Sequence, residues 1–328
     1  MTISIRLLVS DGQSAATDPC PARRGSGSTT RRVLRFNVMA SLLIISGLSG
    51  CSGGGGSTTT SSPSASPTAS EALVVDQHFD VAPGRQLRLY CAGTGSPAVV
   101  FEAGGGSDSS DWPTTITSPL SERTRICAYD RAGTGASDAA PNKPRLLIDV
   151  VRDLDALLAA AKIEDKLLLV GQSLGGGIVL RWALQHPKRT AGLVIVDTDW
   201  PTTDMKKSIN QLTPAKQLAE EAAKDVWNSP DNTEHISHKD TAAELEAAFR
   251  SLPGIPIRIL SATRGPECVE PGPACTRLRA LSVSLQRQWL KLSPTAVQVP
   301  VDSGHDIHQE APAVVLREVE TALKLVRP

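Results

Sequence analysis

The chain has 328 residues, enough for one large domain or two modest ones, and its 34 Lys and Arg balance 34 Asp and Glu. No block of like charge stands out, which argues against a nucleic-acid binder held by a basic face, and aromatics at 3% argue against an aromatic-lined sugar or base platform. One apolar stretch and no internal period exclude membrane channels and fibrous repeats, while 40% hydrophobic residues suffice for a sizeable core.

That apolar stretch, Phe36 to Leu48, follows Arg31, Arg32 and Arg35 and is too short for a membrane span. A basic n-region and a short apolar h-region are the form of a secretory signal. The stretch ends Leu48-Ser49-Gly50-Cys51, which resembles a bacterial lipobox. The resemblance implies a diacylglycerol on the Cys51 sulfur, export, and anchoring to the outer face of the cell membrane through lipid only. An ordinary signal followed by an incidental cysteine is the alternative, and residues 1–30 make a poor signal start. From Ser52 to about Ser70 the chain is Gly, Ser, Thr, Pro and Ala without an apolar period, the composition of a flexible tether. The expected division is therefore 1–51 for extension and signal, 52–71 for tether and 72–328 for one folded domain.

Beyond Cys51 four cysteines remain: Cys91, Cys127, Cys268 and Cys275. An even number in an exported chain predicts disulfides. Cys268 and Cys275 bracket a short Pro/Gly-rich loop, so local pairing is the simplest choice, and Cys91 and Cys127 would then join two strands. Free thiols or a metal site are the alternative, but no Cys-x-x-Cys has a second matching pair, and no metal is expected.

Short apolar runs then alternate with amphipathic stretches. Strands are predicted at Ala98–Phe101, Arg125–Tyr129, Leu167–Val170, Leu193–Val196, Ile257–Leu260 and Val297–Val299. The third and fourth are nearly continuous Leu or β-branched runs, as for strands covered on both faces. Leu147, Val150, Val151, Leu154, Leu157 and Leu158 keep helical spacing, with Pro144 read as a first-turn residue. Further helices are predicted from Ile178 to Gln185 and from Val314 to Val326. Strand–helix alternation predicts an α/β fold with a mostly parallel central sheet and helices on both faces. From about 200 to 252 the rhythm breaks into polar, helix-prone sequence (Ala215–Lys224, Ala242–Phe249), read as a helical cap insertion.

Gly171-Gln172-Ser173-Leu174-Gly175 matches G-x-S-x-G. The pattern also occurs at Gly50–Gly54, so context decides. Ser173 follows a buried strand and precedes a helix, the strand–turn–helix junction that projects a nucleophilic hydroxyl above a sheet. A helix N-terminus beside it favours developing negative charge.

With these residues in view, the chain from 72 to 328 resembles the α/β-hydrolase fold family. Val100-Phe101-Glu102-Ala103-Gly104-Gly105 resembles the family's strand and loop that supply an oxyanion-hole amide. Ala128-Tyr129-Asp130-Arg131-Ala132-Gly133-Thr134-Gly135-Ala136-Ser137 resembles its Asp-Arg-x-Gly-x-Gly-x-Ser turn, and Asp302-Ser303-Gly304-His305 the loop that delivers the catalytic histidine. The resemblance implies Ser173 as nucleophile, His305 as base, and an oxyanion hole from the amides of Gly105 and Leu174.

His308 competes with His305, and the His305-x-x-His308 spacing also admits zinc, although no third ligand cluster is visible. His78, His186, His235 and His238 are read as solvent or structural residues, and Asp130 and Arg131 as a turn-fixing pair. For the acid, Asp197 ends the Leu193–Val196 strand and keeps the order Ser, Asp, His. Glu267, Asp199 and Glu270 are the alternatives.

The expected function is a serine hydrolase that cleaves carboxylic esters through an acyl-enzyme, with a small-molecule or lipid ester as substrate and no cofactor. An acyltransferase or peptidase on the same triad, or a noncatalytic surface-binding module, is the alternative. Substrate identity and oligomeric state stay open.

Overall fold

The computed structural model describes residues 74–198, 226–264 and 273–326, all within one compact unit, Ser66–Pro328. Its centre is an eight-stranded sheet: β1 (Val74–Ala82), β2 (Arg85–Ala92), β3 (Ala98–Glu102), β4 (Ile126–Tyr129), β5 (Leu167–Gln172), β6 (Thr190–Val196), β7 (Ile257–Ala262) and β8 (Val297–Val301). The spatial order is β1-β2-β4-β3-β5-β6-β7-β8. β1 and β2 pair antiparallel, as do β2 and β4; every pairing from β4 to β8 is parallel.

All six strands expected from sequence are present, and each buried run becomes a strand covered on both faces. Every residue of β3, β4 and β5 is buried. One face packs on α2 (Leu147–Ala160) and α3 (Leu174–Gln185), and the other on α1 (Thr114–Ser121) and α7 (Pro312–Val326). Side chains alternate between the faces along a strand, so Val99, Phe101, Leu168 and Val170 point to the second cluster while Val100, Leu167 and Leu169 point to the first. Between these helices the chain adds α4 (His238–Ala248), α5 (Pro273–Gln286) with a 3-10 turn at Arg287–Leu292, and the single turn α6 (Ile307–Glu310).

Three expectations need correction. The hairpin β1–β2 was not anticipated: β1 is an edge strand whose residues are exposed or half-buried, so no apolar run marks it. Pro144 is not in the first turn of α2. The Arg145 amide donates to His235 O at 2.9 Å and its carbonyl accepts from the Ser237 amide at 2.8 Å, which keeps residue 145 extended and starts the helix at Leu147. The helix expected from Ile178 begins at Leu174, because packing overrides the poor helix propensity of Gly175-Gly176-Gly177. A Cβ on Gly175 would lie 2.5 Å from Glu102 O, and one on Gly176 would collide with the Thr198 hydroxyl. Only glycine lets α3 sit this close to β3 and β6.

The carboxylate of Glu244 on α4 accepts from the Leu147 and Ile148 amides, both at 2.8 Å, and Asp149 accepts from the Leu146 amide at 3.1 Å. These acids satisfy first-turn donors of α2 and complement its dipole. The helix expected at Ala242–Phe249 is thus observed as α4, docked on α2 and α3; residues 199–225, with the expected helix 215–224, lie outside the described residues.

Cys91 and Cys127 face each other in the β2–β4 register and form a disulfide. Cys268 and the side chain of Cys275 lie outside the described residues, as does Cys51. The bond closes a loop across a sequence separation of 36, which in the chain-entropy picture stabilises the fold by about 3–4 kcal/mol. Urea unfolding of the oxidised and reduced protein measures this, and reduction is expected to lower the midpoint without changing the folded far-UV spectrum.

Candidate active site

The parallel strands end on one edge of the sheet, where helix N-termini and loops converge, and the candidate residues come from four of those ends. Ser173 follows β5, Asp197 follows β6, His305 follows β8, and Gly104–Gly106 follow β3.

Ser173 has φ +51° and ψ −120°, a left-handed backbone that non-glycine residues rarely adopt. Such strain persists only where surrounding structure over-determines it. Here the Ser173 amide donates to Val196 O at 3.0 Å, and its carbonyl accepts from the Gly176 amide at 3.0 Å and the Thr198 hydroxyl at 2.9 Å. A side chain on Gly171 would run into the Gly175 carbonyl. The tight turn leaves Ser173 partly accessible at the N-terminus of α3, with Leu174 as the first helical residue. The Leu174 N–H is one of the donors a helix cannot satisfy internally. Gly105 lies over the same turn: a Cβ there would sit 3.4 Å from Leu174 Cδ2 and 3.7 Å from Leu174 Cβ.

Asp197 also has a positive φ, +42°, while its amide continues the ladder to Leu260 O at 2.8 Å. Its buried carboxylate accepts from His305 Nδ1 at 2.8 Å, Gln286 Nε2 at 3.0 Å, the Ala262 amide at 2.9 Å and Arg279 at 3.2 Å. Burial alone would raise this carboxyl, but the bond from His305, the Arg279 charge, Gln286 and the Ala262 amide hold it below the ordinary aspartate range. The hydrogen bond to Asp197 lifts His305 above the ordinary histidine value, against burial and the Arg279 charge. A carboxylate can only accept, so the proton rests on His305 Nδ1 and Nε2 keeps its lone pair. Gln172, the residue before the serine, reaches the His305 carbonyl and the Asp306 carboxylate at 3.5 Å, and thus ties the serine turn to the histidine loop.

His308 is elsewhere. Its ring is buried against Trp112, and Nε2 bonds Asp111 at 3.0 Å. The two histidines therefore face different carboxylates and do not converge as zinc ligands. Asp199, Glu267 and Glu270 lie outside the described residues. His78, His186 and His235 bond to Ala136 O, Asp155 and Pro141 O, all structural contacts. His238 lies near Gly105: its Cε1 is 4.0 Å from a Cβ built on that glycine.

Asp130 and Arg131 do not pair with each other. Asp130 accepts from the amides of Ser109 and Ala136, both at 2.9 Å, and fixes the turn after β4. Arg131 turns inward to Glu102 at 2.6 Å, to Glu234 at 2.5 Å, and to the carbonyls of Ala103 and Gly104. Sequence reasoning missed Glu234, Arg279 and Gln286. Each meets its partner across a long stretch of chain, and no local motif marks it.

The sequence profile of a family described as alpha/beta hydrolase fold matches residues 97–234. A curated but uncharacterised Bacillus subtilis protein, YqjL, is 26% identical over 229 residues, 68% of this chain and 82% of its own length. Other curated relatives match over 100 to 130 residues, so that the chain spans 15% to 40% of their length. Among solved structures, a thermophilic esterase from Thermogutta terrifontis superposes with a TM-score of 0.55 at 19% identity, covering 78% of this chain and 100% of that one. A 2-hydroxy-6-oxo-6-phenylhexa-2,4-dienoate hydrolase from Rhodococcus sp. strain RHA1 gives 0.54 at 17% identity, covering 77% and 99%. The sheet topology and these superpositions show the α/β-hydrolase fold, and the profile match over residues 97–234 agrees with it.

Proposed function

We propose that the protein hydrolyses carboxylic esters by two-step acyl transfer. The observation that carries this reading is the 2.8 Å bond from His305 to buried Asp197, made at the sheet edge where Ser173 holds its strained turn. A serine hydroxyl needs an adjacent base, and an imidazole with its proton fixed on Nδ1 offers a basic Nε2. His305 takes the Ser173 proton as Oγ attacks the ester carbonyl. The tetrahedral oxyanion rests on the amides of Leu174 and Gly105, where two fixed donors can lower the barrier by several kcal/mol. The intermediate collapses as His305 returns the proton to the departing alcohol. Water, deprotonated by His305, then cleaves the acyl-enzyme and releases the acid and free Ser173.

The noncatalytic alternative supposes a site without a working acid, and no carboxylate directly follows the Ile257–Leu260 strand, where Ser261 to Pro266 stand before Glu267. The acid that faces His305 from the preceding strand supports the catalytic reading instead. The Leu48–Cys51 motif supports the further reading that the protein is exported and held to the membrane by lipid on Cys51, acting on small-molecule or lipid esters. Fluorophosphonate labelling of the full chain beside Ser173→Ala tests the chemistry. Labelling confined to the wild type is expected; equal labelling of both would move the nucleophile elsewhere. Radiolabelled palmitate incorporated by wild type and not by Cys51→Ala is the expected result for the anchor.

A further inference from the structure

The loop after β3 is held from below by a buried charge cluster. Arg131 is 2% exposed, and such a guanidinium is stable only with its charge and donors matched. Glu102 and Glu234 supply two carboxylates, 1% and 3% exposed. Tyr129 donates to the far oxygen of Glu102 at 2.5 Å. Arg131 uses its remaining donors on the loop itself: Ala103 O at 2.8 Å and Gly104 O at 2.5 Å. Glu234 completes the grip by accepting from the Gly106 amide at 2.8 Å.

These contacts orient peptide planes. The Gly104–Gly105 peptide is trans, and in a trans peptide the C=O and N–H point in opposite directions. Because Arg131 draws the Gly104 carbonyl into the protein, the Gly105 N–H is directed out the other way. The next peptide is turned over, since Glu234 draws the Gly106 N–H inward. Gly105 is thus the residue of this pair whose amide stays available to a substrate oxygen.

Glu234 stands 103 residues from Arg131, in the segment that leads into α4. That segment is docked independently: Asn232 bonds the Ile236 backbone through both its amide atoms, and the Arg145 amide donates to His235 O. We propose that Glu234 is a positioning residue for the oxyanion hole, acting through Arg131 and the Gly106 amide to aim the Gly105 N–H at the reacting carbonyl oxygen. This rests on the ester-hydrolase reading for its catalytic meaning, though not for the loop geometry.

The experiment compares wild type, Glu234→Ala and Glu234→Gln in the full chain, with active sites counted by fluorophosphonate titration. Per active site, Glu234→Ala is expected to lower kcat about 100-fold, in the range found for loss of one oxyanion donor, with KM within threefold of wild type. Glu234→Gln keeps an acceptor but loses the charge, and is expected to recover part of the loss. A trifluoromethyl ketone, which forms a tetrahedral oxyanion on the serine, should weaken in step with kcat/KM. The methyl ketone isostere should not. Unchanged kcat and inhibition per titrated site overturn the proposal, because a merely structural residue would change only the number of active sites. If Glu234→Ala does not fold, Glu234→Gln alone decides, with the same outcomes.

Hydrogen exchange over residues 103–107 reads the loop without turnover. Exchange at least about tenfold faster in Glu234→Gln supports the proposal, and exchange equal to wild type overturns it. A wild type that neither labels nor cleaves esters would end the ester reading and leave the loop to be judged by exchange.

Discussion

Ser173→Ala is expected to lower kcat by about 10⁴- to 10⁶-fold on any ester the wild type cleaves, with KM nearly unchanged. The removed oxygen is the one that forms the covalent bond, so the loss falls on the transition state and not on ground-state binding. The residual rate would come from the Leu174 and Gly105 amides, which do not depend on the hydroxyl. Stability gives a second readout at this position. Alanine keeps the Cβ that makes φ +51° costly, whereas glycine removes it. Ser173→Gly should therefore be as inactive as Ser173→Ala yet more stable, by about 1 kcal/mol, measured by urea unfolding. If the alanine variant melted higher, the strain assigned to this turn would be wrong.

Asp197→Asn is expected to cost about 10⁴ in kcat, through the histidine it orients. Asparagine presents an N–H₂ as readily as an oxygen to His305 Nδ1, so the tautomer with a basic Nε2 is no longer enforced. The pH profile should move as well. Activity needs neutral His305, whose value is raised by the bond to Asp197, so the acid limb of kcat/KM in wild type should lie above about 6.5. Without the carboxylate that limb should shift downward, and an unshifted limb would detach Asp197 from the working histidine.

Stability should respond too, since both Asp197 and Arg279 are buried. Removing one charge leaves the other unmatched, an expected loss of about 3 kcal/mol. The signs with pH are opposite for the two partners. The Asp197 carboxyl is depressed, so its contribution is present above about 3.9 and fades as pH falls through the lower folded value. His305 is raised, so its contribution is present below about 6.5 and fades as pH rises through the higher folded value.

Most strands that sequence revealed are buried on both faces, with the half-exposed edge strand β8 the exception: Leu167–Val170 and Leu193–Val196 had to be continuous apolar runs because helices cover them above and below. β1 was hidden by its exposure at the sheet edge. β2 was legible in principle, since Leu87, Leu89 and Cys91 alternate inward at period two. The strained turn at Ser173 was legible because the candidate nucleophile and its turn share one contiguous motif. Asp197 was visible as a carboxylate at a strand end, but its contact with His305 needed distances; Asp199, Glu267 and Glu270 lie outside the described residues. Glu234 and Arg279 act on residues 103 and 82 positions away, and neither the 3.6 nor the 2.0 period carries such information. The start of α3 shows the limit of propensity: Gly175-Gly176-Gly177 lie before the expected start at Ile178 yet are helical, and at Gly175 and Gly176 only the missing side chain allows the close approach.

The strand order also has a consequence for how the chain reaches this state. β3 lies between β4 and β5, both made after it, so its residues Ala98–Glu102 leave the ribosome with neither hydrogen-bonding edge satisfied. The first edge is covered when Tyr129 emerges and the second only after Gln172, about 70 residues past the end of β3. At synthesis rates of about 5–20 residues per second, that second edge stays open for roughly 4–14 s. During this interval Ala-Val-Val-Phe is an apolar, edge-exposed segment of the kind that recruits other strands. The nascent chain, and not the finished fold, is where holdase chaperones should engage this protein, and slowing synthesis between residues 102 and 172 should lower its soluble yield.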